Sequence, residues 1–180
     1  MKNPIAERIT DFLKHYPPFS SLSYQNLLEI AKTCQVIYLE KNQTLFKIND
    51  ATHSFFYVVA TGAVGLSVTS DADDVLIDKC DEGDILGLRP FFAKNNYLMT
   101  AKAREESIIY AIPIESFKPY VIANQEVLSF LLESFASNTR NPYDKNNKGK
   151  LVSENVIYND QSSEIQYYQP IKYTSNPITA

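Results

Sequence analysis

The chain has 180 residues, of which 44% are hydrophobic and 21% are charged. This composition supports a packed core and excludes a chain that is disordered throughout. The formal net charge of −4 argues against a nucleic-acid partner, because surfaces that bind nucleic acid are usually basic, and the sequence contains no evident basic patch.

Two helices are predicted before the first strand. The first, over 4–15, has apolar residues at helical spacing: Ile5, Ile9, Phe12 and Leu13. Pro17 and Pro18 end it, and Ser23 is a suitable N-cap for the second helix. No segment approaches the roughly 20 apolar residues that span a bilayer, and the N-terminus lacks the continuous apolar region of a signal peptide. We therefore expect a cytoplasmic protein with no membrane partner.

From Gln35 the periodicity becomes that of short strands separated by polar turns. The predicted strands are 36–39, 45–48, 55–59, 63–68, 75–79, 85–86, 98–103 and 108–112. A hairpin tip is predicted at 70–74. Short strands at this spacing predict a mainly β fold with flanking helices, in which the strands form an antiparallel β-roll of the jelly-roll type.

Helical periodicity returns after Pro113, with helices predicted over 115–122 and 124–137. The second has a wide apolar stripe: Val127, Leu128, Leu131, Leu132 and Phe135. Two interpretations of the stripe stay open. It packs on the roll, or it forms the seam of a homodimer, and one helix can use two faces for both.

The last part of the chain differs in composition. Residues 139–180 are rich in Asn, Lys, Asp and Ser, and we interpret them as a linker with one short apolar patch at 156–158. The predicted organisation is N-terminal helices, a β-roll containing 83–100, C-terminal helices and a linker, at 1–34, 35–113, 114–138 and 139–180.

Three segments together resemble the cyclic-nucleotide-binding domain family. The run FFYVVATG at 55–62 is similar to the family's strand and glycine turn. The run GDILG at 83–87 is similar to the start of its phosphate cassette, and 101–112 to the strands that close the roll. The resemblance extends from about Phe12 to Phe135, and it implies a β-roll that senses a small molecule through the cassette at 83–100.

A narrower resemblance involves both ends of the chain. Residues 5–27 and 169–179 resemble a bacterial multidomain family in which such a domain precedes a pair of CBS domains and a nucleotidyltransferase. This resemblance implies that the chain is a non-catalytic part of a longer signalling protein, whose own downstream domains it controls.

The cassette supplies the candidate binding residues: Gly83, Asp84, Leu86, Gly87, Leu88, Arg89, Pro90, Tyr97, Leu98 and Met99. A cyclic phosphate needs backbone N–H groups at a helix start, an arginine to pair with it and a carboxylate for the ribose hydroxyl. Pro90 suits the first position of a short helix. By the resemblance, however, the family's arginine falls at Tyr97 and its glutamate at Leu88. We therefore expect a degenerate cassette that does not bind cAMP or cGMP in the family's manner.

Other residues leave the ligand open. Arg89 is either a relocated partner for a nucleotide or other small anionic ligand, or a solvated or salt-bridged arginine; Lys94 and Lys102 have weaker claims. Two interpretations of Tyr97, Leu98 and Met99 stay open. They line an apolar pocket for another ligand, or they fill the space that the ligand occupies in the family. No specific cofactor follows from these residues.

The sequence gives little support for a catalytic or a metal-binding function. A cupin-type metal site needs clustered histidines and carboxylates, and the chain has only His15 and His53. The Asp71–Asp74 cluster lacks the loop length of an EF-hand, nucleophile motifs are missing, and no basic recognition helix follows the long helix. Two functions remain open, a ligand sensor and a ligand-free docking or dimerisation module, and no catalytic or metal-binding residue is predicted.

Overall fold

The structure is a computed structural model that describes residues 2–136 and, further on, the backbone of two short strands, 156–159 and 164–167. Among these residues, no helix combines the length and the apolar character that a membrane crossing requires.

Helices precede and follow the roll, and one short helix interrupts it. They are α1 (Pro4–Leu13), a single 3₁₀ turn (Phe19–Ser21), α2 (Tyr24–Ala31), α3 (Arg89–Ala93), α4 (Ile114–Ala123) and α5 (Gln125–Ala136). Ser23 caps α2 as predicted, because its hydroxyl accepts a hydrogen bond of 3.1 Å from the Asn26 N–H. The side chain of Asn124 accepts from the N–H of Val127 and so caps α5 in the same way.

The strands are short and pair only with antiparallel neighbours. They are β1 (Gln35–Leu39), β2 (Thr44–Phe46), β3 (Phe55–Thr61), β4 (Val64–Ser70), β5 (Asp73–Cys80), β6 (Ile85–Leu86), β7 (Thr100–Ala103), β8 (Ser107–Pro113), β9 (Val156–Asn159) and β10 (Glu164–Tyr167). Two four-stranded sheets form the roll, with the orders β1-β8-β3-β6 and β2-β7-β4-β5, which confirms the predicted antiparallel β-roll with flanking helices.

Strand β3 is buried on both faces. Its alternate residues Phe56 and Val58 belong to an apolar core shared with the helices, whereas Tyr57 and Val59 belong to a second core inside the roll. Successive side chains of a strand point to opposite faces, so a strand between two cores must be apolar throughout. This requirement explains the unbroken run of apolar residues in β3.

Three phenylalanines join the helices to the outer face of this sheet. Phe19, Phe56 and Phe117 are fully buried, and the ring centroid of Phe56 lies 5.1 Å from that of Phe117 and 6.4 Å from that of Phe19. Such tightly spaced aromatic rings contribute both buried area and favourable ring contacts. The 3₁₀ turn and α4 are therefore fixed on β3 by the same side chain.

Most differences from the predicted elements are at their ends. The strand predicted over 45–48 is Thr44–Phe46, and the one predicted over 98–103 is Thr100–Ala103. Within the predicted linker, β9 and β10 pair as an antiparallel hairpin, which its polar composition did not indicate. The rest of the linker prediction lies outside the described residues.

We expect the substitution Phe56→Ala to lower the free energy of unfolding by about 3–5 kcal/mol, because it leaves a cavity between the helices and β3. Urea denaturation followed by circular dichroism measures this change. Ile122→Ala is the control: Ile122 is 85% exposed, and we expect its loss to change stability by about 0.5 kcal/mol or less. Equal effects of the two substitutions would contradict the assignment of Phe56 to the core.

Candidate ligand-binding site

The cassette connects the two sheets of the roll. It begins in the turn after β5, continues through β6 and α3, and ends in the loop before β7. Leu86 of β6 pairs with Tyr57 of β3, and Ile85 pairs with Val58. The cassette is therefore attached to the strand that separates the two cores.

Two glycines of the cassette have backbone conformations that other residues rarely adopt. Gly83 has φ +88° and Gly87 has φ +84°. A Cβ at Gly83 would lie 2.3 Å from the ring of Tyr16, and one at Gly87 would lie 3.1 Å from the ring of Tyr57. Both positions need glycine for conformation and for space, as the resemblance to a cassette implies.

Asp84 stabilises the turn that opens the cassette. Its carboxylate is buried and accepts a hydrogen bond of 2.8 Å from the N–H of Asp81. Its carbonyl accepts a hydrogen bond of 3.1 Å from the N–H of Val59 in β3. These bonds give Asp84 a structural role in the turn.

The next residues alternate between the two cores. Leu86 belongs to the core inside the roll, while Leu88 belongs to the core shared with the helices, and both are completely buried. Pro90 is the second residue of α3 and Arg89 is the first, so the predicted placement of Pro90 at the first position is wrong by one residue. Leu88, where the resemblance leads us to expect the family's glutamate, packs toward the helices.

Arg89 is buried rather than solvated, with 7% of its surface exposed. Its Nη1 donates a hydrogen bond of 2.9 Å to the carbonyl of Ser134, and its Nη2 donates to the carbonyl of Phe135. The guanidinium carbon also lies 5.5 Å from the centroid of the Phe135 ring. The guanidinium thus binds two carbonyls in the last turn of α5 that the structure describes.

Tyr97 occupies the interior of the roll at the position where the family's arginine is expected. It is fully buried, and its ring stacks on that of Phe46 with centroids 3.9 Å apart and planes 12° apart. Its hydroxyl accepts a hydrogen bond of 2.8 Å from the N–H of His53. Met99 is buried in the same core, whereas Leu98 is only half-buried.

A small aromatic cluster surrounds Tyr97. The Nδ1 of His53 lies 2.6 Å from the hydroxyl oxygen of Tyr57, and the rings of His53 and Tyr97 meet edge to face. Burial, and after it the proximity of Tyr97, raises the pKa of Tyr57 above its usual value. The site is therefore an aromatic cluster with internal hydrogen bonds, and none of its members is an arginine or a lysine.

The structure thus separates the predicted site residues into two groups. Leu86, Gly87, Tyr97 and Met99 lie together at the roll interior, whereas Leu88 and Arg89 face the helical side. Sequence reasoning missed the partners Phe46 and His53, which the fold brings to Tyr97 from a distant part of the chain. The unbroken apolar run of β3 was the local signal that could have placed Tyr57 beside them, because alternate side chains of a strand buried on both faces reach the roll interior.

A family model described as the cyclic nucleotide-binding domain matches residues 36–124. This segment belongs to that family. It comprises the roll, the cassette and α4, and thus just under half of the chain.

Solved structures show the same fold. The sensor domain of the transcriptional regulator DNR from Pseudomonas aeruginosa matches with a TM-score of 0.60 and 18% identity, covering 70% of this chain and 89% of that one. The regulatory subunit of a cAMP-independent protein kinase A from Trypanosoma brucei matches with a TM-score of 0.65 and 16% identity, covering 74% of this chain and 48% of that one.

A curated relative extends the comparison to sequence. Neuropathy target esterase sws from Drosophila willistoni is 28% identical over 112 residues, which cover 56% of this chain and 7% of that protein. The chain therefore spans only a small part of the length of this relative, and the similarity concerns the domain rather than the whole protein.

From the burial of Tyr57 we expect the free energy of unfolding of the domain to fall at alkaline pH. Because its pKa is higher in the folded than in the unfolded state, its contribution is complete below pH about 10 and is lost as the pH rises through the folded-state value. We expect Tyr57→Phe to flatten the fall of unfolding free energy above pH about 10. Urea denaturation at several pH values measures the free energy of unfolding of both proteins.

Tyr24→Phe, at a tyrosine that is 47% exposed, is the matched control and should leave the alkaline slope unchanged. A slope that stays the same in Tyr57→Phe would contradict the burial of this hydroxyl.

Proposed function

We propose that the chain is a cytoplasmic, non-catalytic regulatory module, in which the cassette no longer receives a cyclic nucleotide in the family's manner and instead holds helix α5. In this proposal the module acts on the downstream part of a longer signalling protein. The main observation in support of this proposal is that the Arg89 guanidinium donates hydrogen bonds to the carbonyls of Ser134 and Phe135 in α5.

Two buried side chains of the cassette, one in the roll interior and one on the helical side, support the first half of the proposal. By the resemblance, Tyr97 stands where the family has its phosphate-binding arginine and Leu88 where it has its ribose-binding glutamate, and both are completely buried. Each missing charged hydrogen bond is worth about 1.5–3 kcal/mol. Together they correspond to a loss of roughly a hundredfold to ten-thousandfold in affinity for a cyclic nucleotide.

The contacts of α3 with α5 support the second half. Besides the bonds from Arg89, the ring of Phe92 in α3 lies 5.9 Å from that of Phe135 in α5. These contacts join the cassette to the helix that leads into the rest of the chain. A ligand or partner that displaces α3 would therefore release the end of α5, which is the coupling that a regulatory module requires.

A second candidate, a dimerisation module, is favoured by the other face of α5. Leu128 and Leu132 are four residues apart and are 39% and 60% exposed. Residues at this spacing lie on the same face of a helix. The predicted use of the stripe as a homodimer seam is supported by these two side chains, while Val127 and Leu131 are buried in the core shared with the other helices.

Removal of the Arg89 side-chain charge tests the coupling. We expect Arg89→Gln to speed amide hydrogen exchange in the last turn of α5 by about tenfold or more, because the carbonyls of Ser134 and Phe135 lose their donor. Exchange in α2 should stay unchanged. Mass spectrometry of peptides from the two helices provides the measurement.

Arg104→Gln is the matched control, since Arg104 is exposed and lies after β7, and it should leave α5 unchanged. Unaltered exchange in α5 of a folded Arg89→Gln variant would contradict the proposed coupling. Loss of the whole fold would contradict it as well, because the role of Arg89 would then not be confined to α5.

A further inference from the structure

A groove of about 320 Å³ lies on the β2-β7-β4-β5 sheet, outside the cassette. Its lining residues are Lys41, Asn42, Gly65, Ser67, Asp74, Leu76, Lys102, Ala103 and Arg104. A volume of this size is at the lower end of the range for small-molecule sites. The groove is independent of the cassette and of the function proposed above.

Three cations from separate parts of the chain meet in this groove. Lys41 is in the turn between β1 and β2, Lys102 is in β7, and Arg104 follows β7. Asp74 forms an ion pair of 3.6 Å with Lys102. Three positive charges and one negative charge leave a net charge of +2 in the groove, on a chain whose formal net charge is −4.

Two of these cations have no anionic partner in the part of the chain that the structure describes. Neither Lys41 nor Arg104 makes an ion pair or side-chain hydrogen bond with another described residue. The guanidinium fork of an arginine suits the oxygens of a phosphate, and a lysine adds a point charge. Both groups are therefore available to an anionic ligand.

A buried hydroxyl also lines the groove. Ser67 is only 9% exposed, and its side chain makes no hydrogen bond to another described residue. A buried polar group is normally hydrogen-bonded, so a hydroxyl in this position calls for a partner. A ligand oxygen in the groove would supply one.

Gly65 forms part of the floor, and the side chains of Leu76 and Arg104 lie close over it. A Cβ at this position would lie 2.9 Å from Cδ1 of Leu76 and 3.2 Å from Cδ of Arg104. Any side chain would displace these two walls, whereas glycine allows the aliphatic part of Arg104 to lie across the strand. Leu76 adds an apolar wall for a part of the ligand that carries no charge.

We propose that this groove binds a small phosphate monoester. The phosphate of such a compound carries a charge of about −1.5 to −2 at neutral pH, which matches the net charge of the groove better than a single carboxylate does. Its oxygens pair with Arg104 and Lys41 and accept a hydrogen bond from Ser67. The volume beyond the phosphate accommodates the organic part against Leu76.

Calorimetric titration with ribose 5-phosphate, ribose and inorganic phosphate tests this proposal. We expect ribose 5-phosphate to bind with a dissociation constant of about 1 mM or lower, and ribose to give no binding heat. Arg104→Gln should weaken the binding by about tenfold or more, and Ser67→Ala by about threefold to tenfold. Lys118→Gln, at a partly exposed lysine of α4 that pairs with Glu115, should leave the affinity unchanged.

Four results would overturn the proposal. The first is a lack of binding by ribose 5-phosphate to the folded chain, and the second is binding that Arg104→Gln leaves intact but Arg89→Gln abolishes. Equal affinity for inorganic phosphate would indicate a site for the free anion. Binding of a phosphoserine peptide without binding of ribose 5-phosphate would indicate a protein partner. The Arg89→Gln variant distinguishes a ligand bound at the cassette from one bound in the groove. A negative result for the groove would not bear on the attachment of α5 by Arg89.

Discussion

The burial of strand β3 between two cores is the constraint on which the rest of the structure depends. One face of β3 packs on the helices through Phe56, and the other packs inside the roll through Tyr57. The cassette pairs with the same strand through β6. The helices, the roll and the cassette therefore share one element. Because protein interiors are closely packed, a substitution on either face of β3 changes the packing of both cores.

The role of each cassette residue depends on whether its side chain lies on the roll side or on the helical side of β3. Tyr97 fills the interior with an aromatic ring, and its hydroxyl accepts a hydrogen bond from the backbone N–H of His53. Arg89, the one cation at the start of α3, binds the end of α5. Arg89 is thus bonded to helix carbonyls, and by the resemblance a position that carries a charge in the family carries a core residue here.

The sequence pattern was sufficient for the strands and for the roll, because the apolar run of β3 and the glycine turns are local signals. The contacts that decide the site are not local. Tyr97 meets His53 across 44 residues and Arg89 meets Ser134 across 45 residues, so they depend on the register between strands and on the packing of helices. The basic groove also escaped sequence reasoning, although Lys102 and Arg104 are only two residues apart in the sequence.

Isothermal titration of the chain with cAMP and cGMP tests the central claim most directly. The claim is that Tyr97, stacked on Phe46, has replaced the charged contacts of the cassette. The account predicts no binding heat at ligand concentrations up to about 1 mM. Binding of either nucleotide in the micromolar range would contradict it, because the nucleotide would then have to displace a fully buried tyrosine and bind without the family's arginine and glutamate.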